Sequence, residues 1–156
     1  MAGTRRRIAT PSLPWLELIF YIPERAMYDD FYATARWSGK RVHCIYQALI
    51  IAISTRHADA VDVKFLVDGR PVWIALPHPA WVEYKQRTGK DLTDTLAAQA
   101  AGHYLKQALE AGMESGREIH PLSVNETLAH VDSVLREFAA ARQQRSSRAS
   151  PSGSAK

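Results

Sequence analysis

Asp68-Gly69 stands between two runs of β-prone residues, and this dipeptide constrains the chain more than any other feature. Val61, Val63, Phe65 and Val67 alternate with Asp62, Lys64 and Leu66 ahead of it, and Val72-Trp73-Ile74-Ala75-Leu76 follows. A two-residue turn between right-twisted strands needs positive φ at both positions, which Asp-Gly tolerates, so a hairpin is predicted here. Pro77 and Pro79 end its second strand, because proline has no N–H to give to a ladder.

The same logic places further strands upstream. Leu16, Leu18, Phe20 and Ile22 alternate with Glu17, Ile19 and Tyr21, so residues 15–22 are expected as a strand. Residues 31–37 are aromatic and β-prone, Ser38-Gly39-Lys40 is a turn, and Val42-His43-Cys44-Ile45-Tyr46 resumes, which predicts a second hairpin. Residues 47–55 form an apolar run that fits a buried strand or a buried helix. Its Ile residues favour a strand, whereas Gln47, Ala48, Leu49 and Ala52, with the length of the run, turn the reading towards helix. The two turns share a Gly, basic, any, Val core (Gly39 to Val42, Gly69 to Val72). Two ββα units are one reading of that likeness, and a chance match between two hairpins is the other.

Beyond residue 77 the period changes from two to that of a helix. A short helix is expected from Ala80 to about Gly89. A long one follows, capped by Asp91 or Thr93 and stopped by Gly112, with Leu92, Leu96, Ala100, Tyr104, Ala108 and Leu109 on its apolar stripe. Ser123 and Glu126 form a capping box for a second long helix, whose stripe is Leu128, Val131, Leu135 and Phe138. One-sided helices need a surface to cover. The expected architecture is therefore α+β, a small, mostly antiparallel sheet of four or five strands packed against two long C-terminal amphipathic helices.

Length and charge set the domain plan. The 156 residues suit one domain, and 46% hydrophobic with 23% charged residues is the composition of a folded chain. Seven of the 20 basic residues, and none of the 16 acidic ones, lie in residues 1–7 and 142–156. The body between holds 13 basic and 16 acidic residues, so the sequence pI of 9.4 belongs to the ends. Residues 1–13 are expected as a basic flexible arm, 14–141 as the single domain, and 142–156 as a disordered Ser/Arg-rich tail without apolar periodicity. The longest apolar run, residues 48–53, falls far short of the roughly 18 needed to cross a bilayer. No signal peptide is read, because Pro11, Pro14, Glu17 and Pro23 break the stretch after Arg5, Arg6 and Arg7. The single cysteine, Cys44, excludes an intrachain disulfide and fits a reducing cytoplasm.

No catalytic constellation is apparent. His43, His57, His78, His103, His120 and His130 have no metal-ligand spacing, so neither a metal nor a cofactor is expected. Cys44 lacks a base in its neighbour His43, since adjacent strand residues point to opposite faces. Asp29-Asp30 reads as a loop before a strand, and no GxSxG, Walker A or GxGxxG pattern occurs. The expectation is a non-enzymatic interaction or regulatory protein that binds a protein partner or itself, with Leu128, Val131, Leu135 and Phe138 as a helix seam. The alternative is nucleic-acid binding by the basic arms and the aromatic hairpins. Trp37, Lys40, Arg41, Arg70, Trp73, Trp81 and Tyr84 are the candidate surface for either, since aromatics beside cations stack on bases and also anchor proteins.

Overall fold

The computed structural model describes residues 26–52, 60–113 and 118–149. The strand expected at 15–22 lies outside them. Within them run β1 (Asp30–Thr34), β2 (Arg41–Ala52), β3 (Ala60–Val67), β4 (Arg70–Pro77), α1 (Pro79–Thr88), α2 (Asp94–Ala111), β5 (Ile119–Pro121) and α3 (Val124–Ala149). The strands form one mixed sheet in the order β1-β2-β3-β4-β5, antiparallel except for the β4–β5 pair. All three helices lie on one side of it.

The Asp68-Gly69 hairpin is formed as expected. Asp68 has φ +48° and Gly69 φ +81°, and Val67 pairs with Arg70 across the turn. Burial along β3 then alternates without a break: Val61, Val63, Phe65 and Val67 are buried and the residues between them half-buried. The first hairpin is shorter than its composition suggested. β1 ends at Thr34 because Ala35 closes a turn with Lys40 (N to O 2.9 Å) and Arg36 gives its N–H to Leu109 of α2 at 3.2 Å.

The helix reading of residues 47–55 is corrected: β2 continues as strand to Ala52. Its backbone groups find a ladder in β3, with a bulge between Tyr46 and Ala48. Pairing with a neighbouring strand decides a run whose own periodicity does not. The bulge also shifts the alternation, so Leu49 and Ile51, opposite Val63 and Val61, stay on the helix side. A strand at the place where the first helix would begin removes the two-ββα reading.

Two other expectations change. The helical layer has three members, not two, because α1 is as integral as the longer pair. Pro79 opens α1, Gly89 ends it at φ +73° with its N–H on Lys85 O, and Ala80 and Tyr84 turn inwards. Chain 119–121 adds a parallel edge strand to β4, with Ile74 opposite His120, after a crossover through α1 and α2.

α2 begins where Thr93 Oγ1 accepts from Leu96 N (3.2 Å) and ends at Gly112. Its buried set is Ala97, Ala98, Gln99, Ala100, Ala101, Gly102, His103, Leu105 and Leu109, not the narrow stripe expected from leucine spacing. α2 is enclosed by the sheet, by α3 and by the turn at residues 26–29, so small residues face neighbours on several sides. At Gly102 a Cβ would lie 2.4 Å from Tyr28 Cβ. α3 has the predicted capping box, with Ser123 N on Glu126 Oε2 at 2.8 Å and Glu126 N on Ser123 Oγ at 3.2 Å. It buries Thr127, Leu128, Val131 and Val134, then runs through Arg142, Arg145 and Arg148 to Ala149, into the segment expected to lack structure. Its i to i−4 backbone bonds need no buried face, and Ser146 Oγ and Ser147 Oγ add contacts to Arg142 O and Gln144 O.

The shared core contains Phe65, Val63, Ile74, Leu76, Leu105, Val131 and Val134, all fully buried. Each such side chain contributes about 1.5–3 kcal/mol of burial. Gly102→Ala separates packing from propensity. Alanine in mid-helix ordinarily stabilises by about 1 kcal/mol, but here its methyl group meets Tyr28, and overpacking costs about 1–3 kcal/mol. Urea unfolding of the variant is expected to show a net loss of stability.

Candidate functional site

The side of the sheet away from the helices collects the residues best placed to meet a partner. Cross-strand pairing puts Tyr32 beside His43, Asp30 beside Ile45, Ile45 beside Leu66, Ala48 beside Lys64, Lys64 beside Trp73, and Trp73 beside Ile119. Ile50, Asp62, Ala75 and Pro121 form the next row. Apolar side chains on this face flank Asp62 and Lys64 of the central strand. Tyr32 is 48% exposed, Ile50 45% and Ile119 59%, while Ile45, Leu66, Trp73 and Ala75 are half-buried.

Charges of both signs lie among them. His43 Nε2 meets Asp30 Oδ1 at 2.5 Å, its ring stacks on Tyr32 with centroids 4.6 Å apart, and the Arg41 guanidinium sits 4.0 Å from the Tyr32 centroid. Lys64 Nζ is 5.5 Å from the Trp73 centroid. Partial burial among apolar neighbours raises the Asp62 carboxyl above the usual carboxylate range. Arg41, Lys64, Asp30 and Asp62 thus share one face with few direct pairings among them.

The seven aromatic and basic residues singled out from the sequence do not form one surface. Both hairpin turns lie at the same end of the sheet, joined by Asp68 N to His43 O and His43 N to Asp68 Oδ1, each 2.8 Å. Trp37, 59% exposed, lies at that end with Lys40, Arg41 and Arg70. Trp73 is on the face turned away from the three described helices. Trp81 and Tyr84 are on α1, on the other side: Tyr84 is buried, and Trp81 packs against the core and stacks on His78. Spacing misses Tyr32, His43 and Asp30, because their meeting depends on register across a loop of uncertain length. The helix seam is also placed: Leu128 and Val131 are buried, and Leu135 and Phe138 pack partly buried, all within the chain's own core.

A second polar cluster lies between the helices. His103 on α2 and His130 on α3 approach at 2.7 Å through their Nδ1 atoms, and Glu137 reaches both His103 Nε2 (3.4 Å) and the Tyr28 hydroxyl, which donates to it at 2.7 Å. Gln99, buried beside it, accepts from Tyr28 N and donates to Asp29 Oδ1, each at 2.8 Å. The histidines are 27 positions apart, a separation that no motif spacing signals. Among the described residues, no three His, Cys, Asp or Glu side chains are placed to hold a metal ion, and no helix is long and apolar enough to cross a membrane.

Cys44 is fully buried on the helix side, and His43 points to the opposite face, as strand geometry requires. Burial, with the Asp68 charge as a smaller cause, pushes its thiol up to about 12. The native protein is therefore expected to resist an aromatic disulfide reagent at pH 8, and the denatured chain to release one equivalent of thiolate-reactive sulfur at once. Rapid labelling of the folded protein would contradict that placement.

Comparison of the chain with family models, curated proteins and solved structures returned no match.

Proposed function

We propose that this chain is a non-enzymatic interaction protein that associates with a second copy of itself through the side of its sheet that no helix among the described residues covers. The observation that supports this is the set of apolar side chains on that face, Ile45, Ile50, Leu66, Trp73, Ala75 and Ile119, which flank Asp62 and Lys64 in strands whose other face is covered by helices. Exposed large apolar and aromatic side chains grouped on one face mark association sites. The charge pattern favours a like copy as partner. With Arg41 and Lys64 on the same face as Asp30 and Asp62, two copies related by a two-fold axis can set cations of one against anions of the other.

A second reading, single-stranded nucleic acid, is supported by the cation–aromatic pairs Arg41–Tyr32 and Lys64–Trp73. The mildly acidic body and the presence of Asp30 and Asp62 on the same face argue against it.

Light scattering on a size-exclusion column tests the first reading. The wild type is expected to run as a dimer at high micromolar concentration. Ile50→Lys places a cation opposite Asp62, which the sheet accommodates, and removes an exposed apolar side chain from the face. It is expected to weaken the dimer by about 2 kcal/mol, roughly 30-fold in Kd. A wild-type monomer under those conditions would refute self-association. On the second reading, Arg41→Ala and Lys64→Ala would each lower the salt dependence of oligonucleotide binding by about one unit of slope.

A further inference from the structure

The seam between α2 and α3 contains titratable groups that the binding reading leaves unused. His103 is 5% exposed, and its two ring nitrogens are both engaged, Nδ1 with His130 Nδ1 at 2.7 Å and Nε2 with Glu137 Oε1 and Gln107 Nε2, each at 3.4 Å. Tyr28 lies edge-on to His103 and Tyr104 edge-on to His130. The charged and titratable groups facing the pair are Glu126, Arg136 and Glu137 from α3, Lys106 and Tyr104 from α2, and Tyr28 from the turn ahead of β1.

Counting protons shows what such a pair can hold. An N···N approach of 2.7 Å accommodates a single hydrogen, donated by one imidazole to the lone pair of the other. At His103 Nε2 the Glu137 carboxylate, a charged acceptor, outweighs the Gln107 amide N–H at the same 3.4 Å and favours a proton there, which leaves His103 Nδ1 as acceptor and His130 Nδ1–H as donor. A first added proton goes to the outer nitrogen of His130 and leaves the bond between the rings intact. A second must occupy His103 Nδ1, and two N–H groups, each on a cation, then face each other.

We propose that His103 and His130 form a pH-sensitive clasp between α2 and α3, closed while one of the two inner nitrogens carries a proton and forced open when both do. Opening releases Glu137 with its α3 turn, and with it the Tyr28 hydroxyl that ties the residues leading into β1 to the helical layer. Burial is the main cause holding both imidazoles below the ordinary histidine range, and for His130 the neighbouring His103 adds to it. The unfolded or opened chain therefore takes up protons near pH 6.5, where the closed clasp does not. The contribution to stability is whole above that pH and is lost as the pH falls below it. The clasp is in the helical layer, so the inference stands apart from the association proposed for the opposite side of the sheet.

Amide hydrogen exchange on the full chain at pH 7.5 and 5.0, corrected for intrinsic rates, tests it. Protection of residues 26–30 and 127–138 is expected to fall about tenfold or more at pH 5.0. The double variant His103→Gln with His130→Gln is expected to show no such fall. Equal wild-type protection at the two pH values would overturn the clasp. So would an equal fall in the double variant, which would assign the effect to groups outside the pair. Where the double variant does not fold, Glu137→Gln decides. It removes the carboxylate that favours the charged form of His103, so it should deepen the acid loss relative to wild type, and an unchanged or smaller loss would overturn the proposal.

Discussion

Strand β3 is the member on which the rest of the sheet is laid, and its position depends on a backbone requirement at two residues. Asp68 and Gly69 both turn with positive φ, and this sets Val67 against Arg70 and every later pair in phase. With the phase set, Val61, Val63, Phe65 and Val67 all fall on one side. A one-residue slip would turn those four side chains to the other side. β2 stays in step along its length only because a bulge at residue 47 restores the alternation for Leu49 and Ile51. The helices then have a continuous apolar surface to cover.

How α2 covers it explains the polar chemistry of the interior. A helix rich in alanine approaches its neighbours closely but supplies little apolar bulk. The volume left around it is filled by Tyr28, Gln99, His103 and His130, each of which brings polar atoms into a buried seam. Those atoms are satisfied by one another: Gln99 spans Tyr28 and Asp29, and Glu137 takes both a phenol and an imidazole. Removing one partner from such a set exposes the others to an uncompensated desolvation cost. The seam is therefore both well ordered and sensitive to charge.

Features that depend on a few adjacent residues were legible in the sequence. The Asp-Gly turn, the Ser123–Glu126 box, and the helix ends at Gly89 and Gly112 are set by local backbone chemistry, and the structure has them where residue type indicates. Features that depend on what lies alongside were not. Residues 47–52 became strand because β3 was beside them. The inward face of α2 followed from its three neighbours, not from its leucines. Tyr32, His43 and Asp30 meet only because a loop over residues 35–40 sets one register among several open to it. His103 and His130 belong to different helices, and no pattern in either helix refers to the other.

The near-contact between Gly102 and Tyr28 has a consequence for how such a chain can change over generations. A side chain at position 102 displaces position 28, and the ring at 28 is itself tied to position 137. Three sites distant in the chain are thus one heritable unit. The atom in the way at 28 is Cβ, which every residue but glycine carries, so a descendant with a larger residue at 102 would have to have shifted the backbone at 28, and with it the hydroxyl that reaches 137.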